Sequence, residues 1–194
     1  MKTMTRIFTV FSVLILAACS THKVERVSPD EQIDLSGRWN DTDSRLVAEA
    51  MVQQVLNENW LNEFNSSHEN KPVVVVGLIL NKSHEHIDAT TFIKDIEREF
   101  IKSGRVRVVT AGEKREELRR ERAGQQEFAS PETAKSWGRE LGADFMMNGD
   151  ISSIVDTYKK ERVNYYQINL ELANLESNEL VWIGEKKIKK YVVN

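Results

Sequence analysis

One cysteine, Cys19, and four histidines, His22, His68, His84 and His86, are the side chains best able to act as nucleophile, base or metal ligand near neutral pH. A Ser or Cys nucleophile needs an imidazole held beside it. Here the histidines fall in polar stretches of different character: His22 in the segment after the cysteine, His68 in a turn, His84 and His86 in a loop. His84-Glu85-His86 could turn two imidazoles toward a metal if extended, but no third ligand follows at useful spacing. The sequence therefore predicts a solvated loop there and no metal site. No G-x-S-x-G, P-loop, H-E-x-x-H or G-x-G-x-x-G motif occurs. The carboxylates around Glu116-Glu117 sit among arginines, a pattern that predicts an ion-paired, solvated helix face. No catalytic residue is assigned, no cofactor is expected, and the chain reads as a non-enzyme.

Cys19 has a different chemistry. It follows a basic start (Lys2, Arg6), an apolar run from Ile7 to Leu16, and the small residues Ala17-Ala18. That is the layout of a secretory signal peptide, and Leu16-Ala17-Ala18-Cys19 resembles a bacterial lipobox. The resemblance implies acylation of Cys19 and cleavage before it. The apolar run is shorter than the roughly 20 residues a bilayer core needs, so the membrane link expected is a lipid anchor and not a span. The sequence thus divides into a signal peptide (1–18), a lipidated N-terminus with a short polar tether (19–34) and a folded domain (35–194). Removing residues 1–18 takes the net charge from −3 to −5, which argues against nucleic acid as a partner. With no cysteine besides Cys19, the domain must stand on its core without internal disulfides.

The elements of that domain follow from hydropathy. Asn40–Ser44 is an unbroken run of N-cap residue types, so a helix is predicted to start near Asp41–Ser44 and to run to about Phe64. Its apolar rows are Val47/Met51/Val55 and Val52/Leu56/Trp60/Phe64, with Trp39 as an aromatic staple. Val73–Leu80 reads as a central strand buried on both faces. Phe92, Ile93, Ile96, Phe100 and Ile101 recur at helical spacing, and Gly104 closes that helix. Arg105–Val109 is a short strand, 113–122 a charged helix, and Ser130-Pro131 starts a further helix carrying Ala134, Trp137 and Leu141 on its buried stripe. Phe145–Ile151 is a strand that can extend to Ile154. Tyr166–Leu172 alternates with period two, Glu176-Ser177-Asn178 turns the chain, and Leu180, Trp182, Gly184 and Ile188 share one face of the return strand. The order α-β-α-β-α-α-β-β-β predicts a single-domain α/β sandwich with a mixed sheet ending in an antiparallel hairpin.

Arg38 and Trp39 are the candidate partner-binding residues, since Arg and Trp are enriched at interface hot spots. The competing reading makes Ser36–Ser44 a capped helix start with an aromatic staple. The lysines at 186, 187, 189 and 190 keep the last strand soluble, protect an exposed edge, or attract acidic polymers or anionic lipid. The Leu180–Ile188 strand is also a candidate edge open to pairing.

Asp34-Leu35-Ser36-Gly37-Arg38-Trp39-Asn40-Asp41-Thr42-Asp43-Ser44 resembles the opening signature of the LpoB-like penicillin-binding protein activator lipoproteins. Leu141-Gly142-Ala143-Asp144-Phe145-Met146-Met147-Asn148-Gly149-Asp150-Ile151 is similar to the helix-to-strand junction of that family. This junction is shared with the curli-secretion lipoprotein and the N-terminal domain of the TolB periplasmic protein. The hairpin around Glu179-Leu180-Val181-Trp182 is similar too, with Asn178 where such hairpins often carry glycine. The resemblance implies an outer-membrane lipoprotein facing the periplasm that binds a class A penicillin-binding protein and regulates peptidoglycan synthesis. Ser20 after the cysteine fits outer-membrane delivery. Kinship with the curli-secretion lipoprotein implies the alternative of a non-catalytic subunit in an envelope or secretion assembly. The tether, about fifteen residues, is shorter than the long Pro-rich tethers of the best-known activators. It reaches roughly 50 Å at about 3.4 Å per residue.

Overall fold

The computed structural model describes residues 23–128 and 141–193. The chain divides into two compact units, Met1–Glu31 and Gln32–Asn194. In the first, the described residues hold a turn in which the Glu31 N–H donates to the Ser28 carbonyl at 3.0 Å. All the described helices and strands lie in the second.

Helix α1 (Asp41–Leu56) begins where the run of capping residues predicts. Asn40 accepts from the Asp43 N–H at 3.0 Å and Asp43 accepts from the Asn40 N–H at 3.0 Å, a reciprocal capping box. Val47, Ala48, Met51, Val52, Val55 and Leu56 are buried, as the two apolar rows require. The helix does not continue to Phe64. It stops at Asn57, and helix α2 (Asn59–Ser67) restarts the chain. The break is stabilised by Trp60, whose indole N–H donates to the Val55 carbonyl at 2.7 Å. Trp60 and Phe64 still reach the core, with ring centroids 4.9 and 5.6 Å from Phe145.

Strand β1 (Val73–Asn81) is followed by helix α3 (Ala89–Ser103), capped by Asp88 and closed by Gly104 at φ 62°, as predicted. Phe92, Ile96 and Phe100 are fully buried, whereas Ile101 falls on the solvent face at 64% exposure. Strand β2 (Arg107–Val109) leads into helix α4 (Gly112–Phe128), longer than the charged run suggests. Strands β3 (Phe145–Tyr158), β4 (Glu161–Asn174) and β5 (Leu180–Val193) complete one sheet of order β2-β1-β3-β4-β5. β2 and β3 flank β1 in parallel, and β3, β4 and β5 are antiparallel. This is the mixed α/β sheet expected from the element order. The start of the helix predicted from Ser130, with Ala134 and Trp137, lies outside the described residues; Leu141 is not on a buried stripe but 41% exposed.

Two strand expectations need correction. β1 is buried on both faces only over Val73–Val76, and Leu78 and Leu80 are exposed. β2 covers β1 only at Val73–Val75, so the second half of β1 has no neighbour on that side among the described residues. On β5, Leu180 leaves the face of Trp182 and Gly184 because a bulge between Leu172 and Ala173 shifts the register there. The alternation on β4 holds: Tyr166, Ile168, Leu170 and Leu172 are all fully buried. They meet α1, α2 and α3 in one continuous core.

Candidate functional site

Residues 33–44 form a strap that crosses the ends of β4 and β5 before entering α1. Gly37 makes its turn, with φ 66° and a Cα so close to Val192 Cγ2 that a β-carbon would collide with it. Three successive carbonyls of the strap find donors on the sheet. Arg162 Nη2 donates to Ser36 O at 2.7 Å, buried Asn164 Nδ2 to Gly37 O at 2.7 Å, and Lys190 Nζ to Arg38 O at 3.1 Å.

Lys190 is the centre of this latch. Its ammonium contacts Asp34 Oδ1 at 2.5 Å and Asp43 Oδ2 at 2.6 Å, and Asn40 Nδ2 donates to the same Asp34 oxygen at 2.8 Å. Burial alone would lower the Lys190 pKa, but the hydrogen bonds and charges of Asp34 and Asp43 outweigh it and hold the pKa above the ordinary lysine value. The hydrogen bond from Lys190 in turn lowers the Asp34 pKa.

Trp39 does not staple onto its own helix, because the position a staple would meet is polar Ser44. Its half-buried ring packs edge-on against Phe92 at 6.1 Å and Tyr166 at 5.7 Å. The Trp39 backbone N–H donates to Glu85 Oε2 at 3.1 Å, and the Tyr166 hydroxyl donates to Glu85 Oε1 at 2.6 Å. Burial first, then the hydrogen bond to Glu85, push the Tyr166 hydroxyl well above its ordinary pKa. The His84-Glu85-His86 loop is therefore organised around its carboxylate. His84 is engaged through its N–H and Nδ1 with Ser153 Oγ at 3.0 and 3.2 Å. Among the described residues, no group of three His, Cys, Asp or Glu is placed to hold a metal ion.

Of the two candidate partner residues, Arg38 is exposed and Trp39 half-buried. Among the described residues, the Arg38 guanidinium has no hydrogen-bond or ion-pair partner. Cys19 lies outside the described residues. Sequence reasoning missed Glu85, Asn164 and Lys190, which tie the signature down. Only the inward parity of Asn164 and Lys190 on otherwise apolar strand faces could have marked two of them.

The family model described as "Peptidoglycan-synthase activator LpoB" matches residues 43–188. The chain belongs to this family. The LpoB C-terminal domain from Escherichia coli is similar at 13% identity and a TM-score of 0.47, over 76% of this chain and 99% of that one. That from Salmonella enterica is similar at 13% identity and 0.46, with the same coverage. The E. coli LpoB structure determined by NMR is similar at 12% identity and 0.43, over 89% of this chain and 85% of that one. No curated protein matches the chain. The region matched by the LpoB family model takes in Asp43 of the latch and stops two residues short of Lys190. Among the described residues, no helix is long and apolar enough to cross a membrane.

Proposed function

We propose that this chain is a lipoprotein anchored through Cys19 in the outer membrane, facing the periplasm, that binds a class A penicillin-binding protein and raises its peptidoglycan synthesis. The observation that carries the reading is the match to the synthase-activator family across most of the folded unit. Such an activator makes and breaks no bonds. It binds an active conformation of the synthase more tightly than an inactive one, and the population follows that difference. A tenfold preference needs about 1.4 kcal/mol of differential contact. Arg38 supplies a free cation on a rigid mount, because Trp39 beside it is packed on Phe92 and Tyr166. A tether of roughly 50 Å sets the span within which the synthase must present its docking surface.

The test pairs the purified chain with a class A synthase and follows glycan polymerisation from labelled lipid-linked precursor. Co-capture and a several-fold rise in rate are expected. Arg38→Ala should lower the stimulation while leaving the melting temperature unchanged. No binding together with no change in rate refutes the reading. For the anchor, the mass of the mature N-terminus should show acylated Cys19, and Cys19→Ser should release the domain from the membrane fraction.

A further inference from the structure

We propose that the end of the sheet where the chain enters the fold is a docking tip for a lipid bilayer surface. Three elements meet at this end. Glu161 of β4 pairs with both Tyr158 of β3 and Val193 of β5, so the β3–β4 turn at Lys159-Lys160 and the last residues of β5 lie together. The strap joins them: Asp34 meets Lys190, Arg162 donates to Ser36 O, and Leu35 lines one depression with Tyr191 and Val193. Buried Tyr166 and Ile168 point toward the helices, so the alternate residues of β4 and their partners point away from them. On that outer face Ile154 is the partner of Tyr165 and Tyr191 the partner of Val163, while Tyr158 and Val193 flank Glu161. Leu35, Ile154, Tyr158, Tyr191 and Val193 are 61–93% exposed. Single exposed apolar side chains are ordinary on a protein surface, but five gathered at one end of a sheet mark a surface that meets something.

The tether names the occupant. The folded unit starts at Gln32, two residues before Asp34, so the tether leaves the fold at this tip. Its roughly fifteen residues have a coil dimension of about 20 Å. The fourteen residues of β4 span about 45 Å at roughly 3.3 Å each, which places the β4–β5 turn far beyond the tip. A chain anchored through Cys19 therefore holds this tip nearest the bilayer. Side-chain chemistry agrees. Tyrosine joins an apolar ring to a polar hydroxyl and lysine an apolar stem to a charged head, two designs that sit at the boundary between headgroups and acyl chains. At the turn, the Lys159 ammonium lies 5.2 Å from the centre of the Tyr158 ring. Charge does not select among lipids, because exposed Lys159, Lys160 and Lys189 stand beside exposed Asp156 and Glu161. Apolar contact drives the docking, and a zwitterionic bilayer suffices.

The identity of the surface rests on the Cys19 anchor proposed above, so one measurement removes the anchor and a second replaces it. Residues 19–194 with Cys19→Ser keep the whole folded unit and carry neither acyl group nor signal segment. Their partition onto zwitterionic phosphatidylcholine vesicles is followed by sedimentation. Partition is expected, little changed by added salt. Tyr158→Ser with Tyr191→Ser should lower the partition coefficient at least tenfold while leaving the melting temperature unchanged, since both side chains are exposed. For the second measurement, residues 19–194 with Cys19 intact are coupled through that single thiol to a maleimide lipid in a nanodisc that also holds spin-labelled lipid. Broadening of amide signals should be confined to 33–36, 154–163 and 189–193 and should spare 174–180. No partition, equal partition by the double variant, or equal broadening at both ends of the sheet overturns the proposal. Binding that appears only on anionic vesicles also overturns it, as does a dimer in sedimentation that itself protects the tip from amide exchange. An unmodified Cys19 in cells would refute the anchor alone and leave both vesicle and nanodisc results unchanged.

Discussion

Replacing Lys190 by methionine keeps the length and apolar stem of the side chain but removes its charge. Three contacts are lost: Asp34 at 2.5 Å, Asp43 at 2.6 Å and the Arg38 carbonyl at 3.1 Å. Their weights differ with burial. The Lys190 and Asp43 side chains are 12% and 9% exposed, so Asp43 is left as a nearly buried charge and that bond is worth about 2 kcal/mol. Asp34 is 37% exposed and screened by water, which limits its share to about 0.5 kcal/mol. The stranded carbonyl adds roughly 0.5 kcal/mol. The expected loss is therefore about 3 kcal/mol, or a fall in Tm of about 6–12 °C for a domain of this size. Urea denaturation at pH 7 measures it, and a cycle with Asp43→Asn should return a coupling of about 1.5 kcal/mol. The pH dependence has a defined sense. Lys190 has a raised pKa, so its contribution is whole below the ordinary value of 10.5 and is lost as pH rises through the folded value. Asp34 has a lowered pKa, so its smaller contribution is present above the ordinary 3.8 and is lost as pH falls through the folded value. The difference between wild type and variant should be widest between these limits and shrink beyond them. A loss under about 1 kcal/mol at pH 7, or a difference that persists undiminished at strongly alkaline pH, would refute the latch.

Two further substitutions probe the backbone. Gly37→Ala adds a β-carbon at φ 66° directly against Val192 Cγ2, and should cost about 2 kcal/mol by thermal or urea unfolding while leaving the isolated α1 cap intact. Lys159→Gly relieves a non-glycine residue at φ 52° in the β3–β4 turn; it forfeits only the exposed contact of Lys159 over the Tyr158 ring, and should raise stability by about 0.5 kcal/mol.

Periodicity carried the elements whose burial is one-sided and local. The cap at Asn40, the glycine at 104, the left-handed Asn178 at φ 60° and the fully buried parity of β4 all follow from rules that act within a few residues. The failures share a cause, which is that a distant partner decides. Helix α1 ends early because Trp60 can take the Val55 carbonyl, a bond that side-chain periodicity does not reveal. β3, β4 and β5 each extend beyond their apolar alternation because they pair with one another past the helices, and the turn at Lys159-Lys160 carries no turn-forming residue to announce it. The ion pair of Lys190 with Asp34 spans 156 residues, so nothing in the local pattern of either could connect them.

The same distinction separates what the signature does from what meets a partner. Asp34, Asn40, Asp43 and Ser44 make the stretch around Arg38 and Trp39 dense in polar groups. In the structure their side chains are spent: Asp34 and Asp43 on Lys190, Asn40 on the cap and on Asp34, Ser44 on Asp95 at 2.7 Å. A polar group already paired inside the fold gains little from a partner, because a new bond must first break an old one. Binding energy therefore has to come from groups the fold leaves unpaired. Among the described residues on this side of the molecule, the Arg38 guanidinium is one such group. Segment 33–44 ties the ends of β4 and β5 to the first turn of α1, and Arg38 rides on that segment.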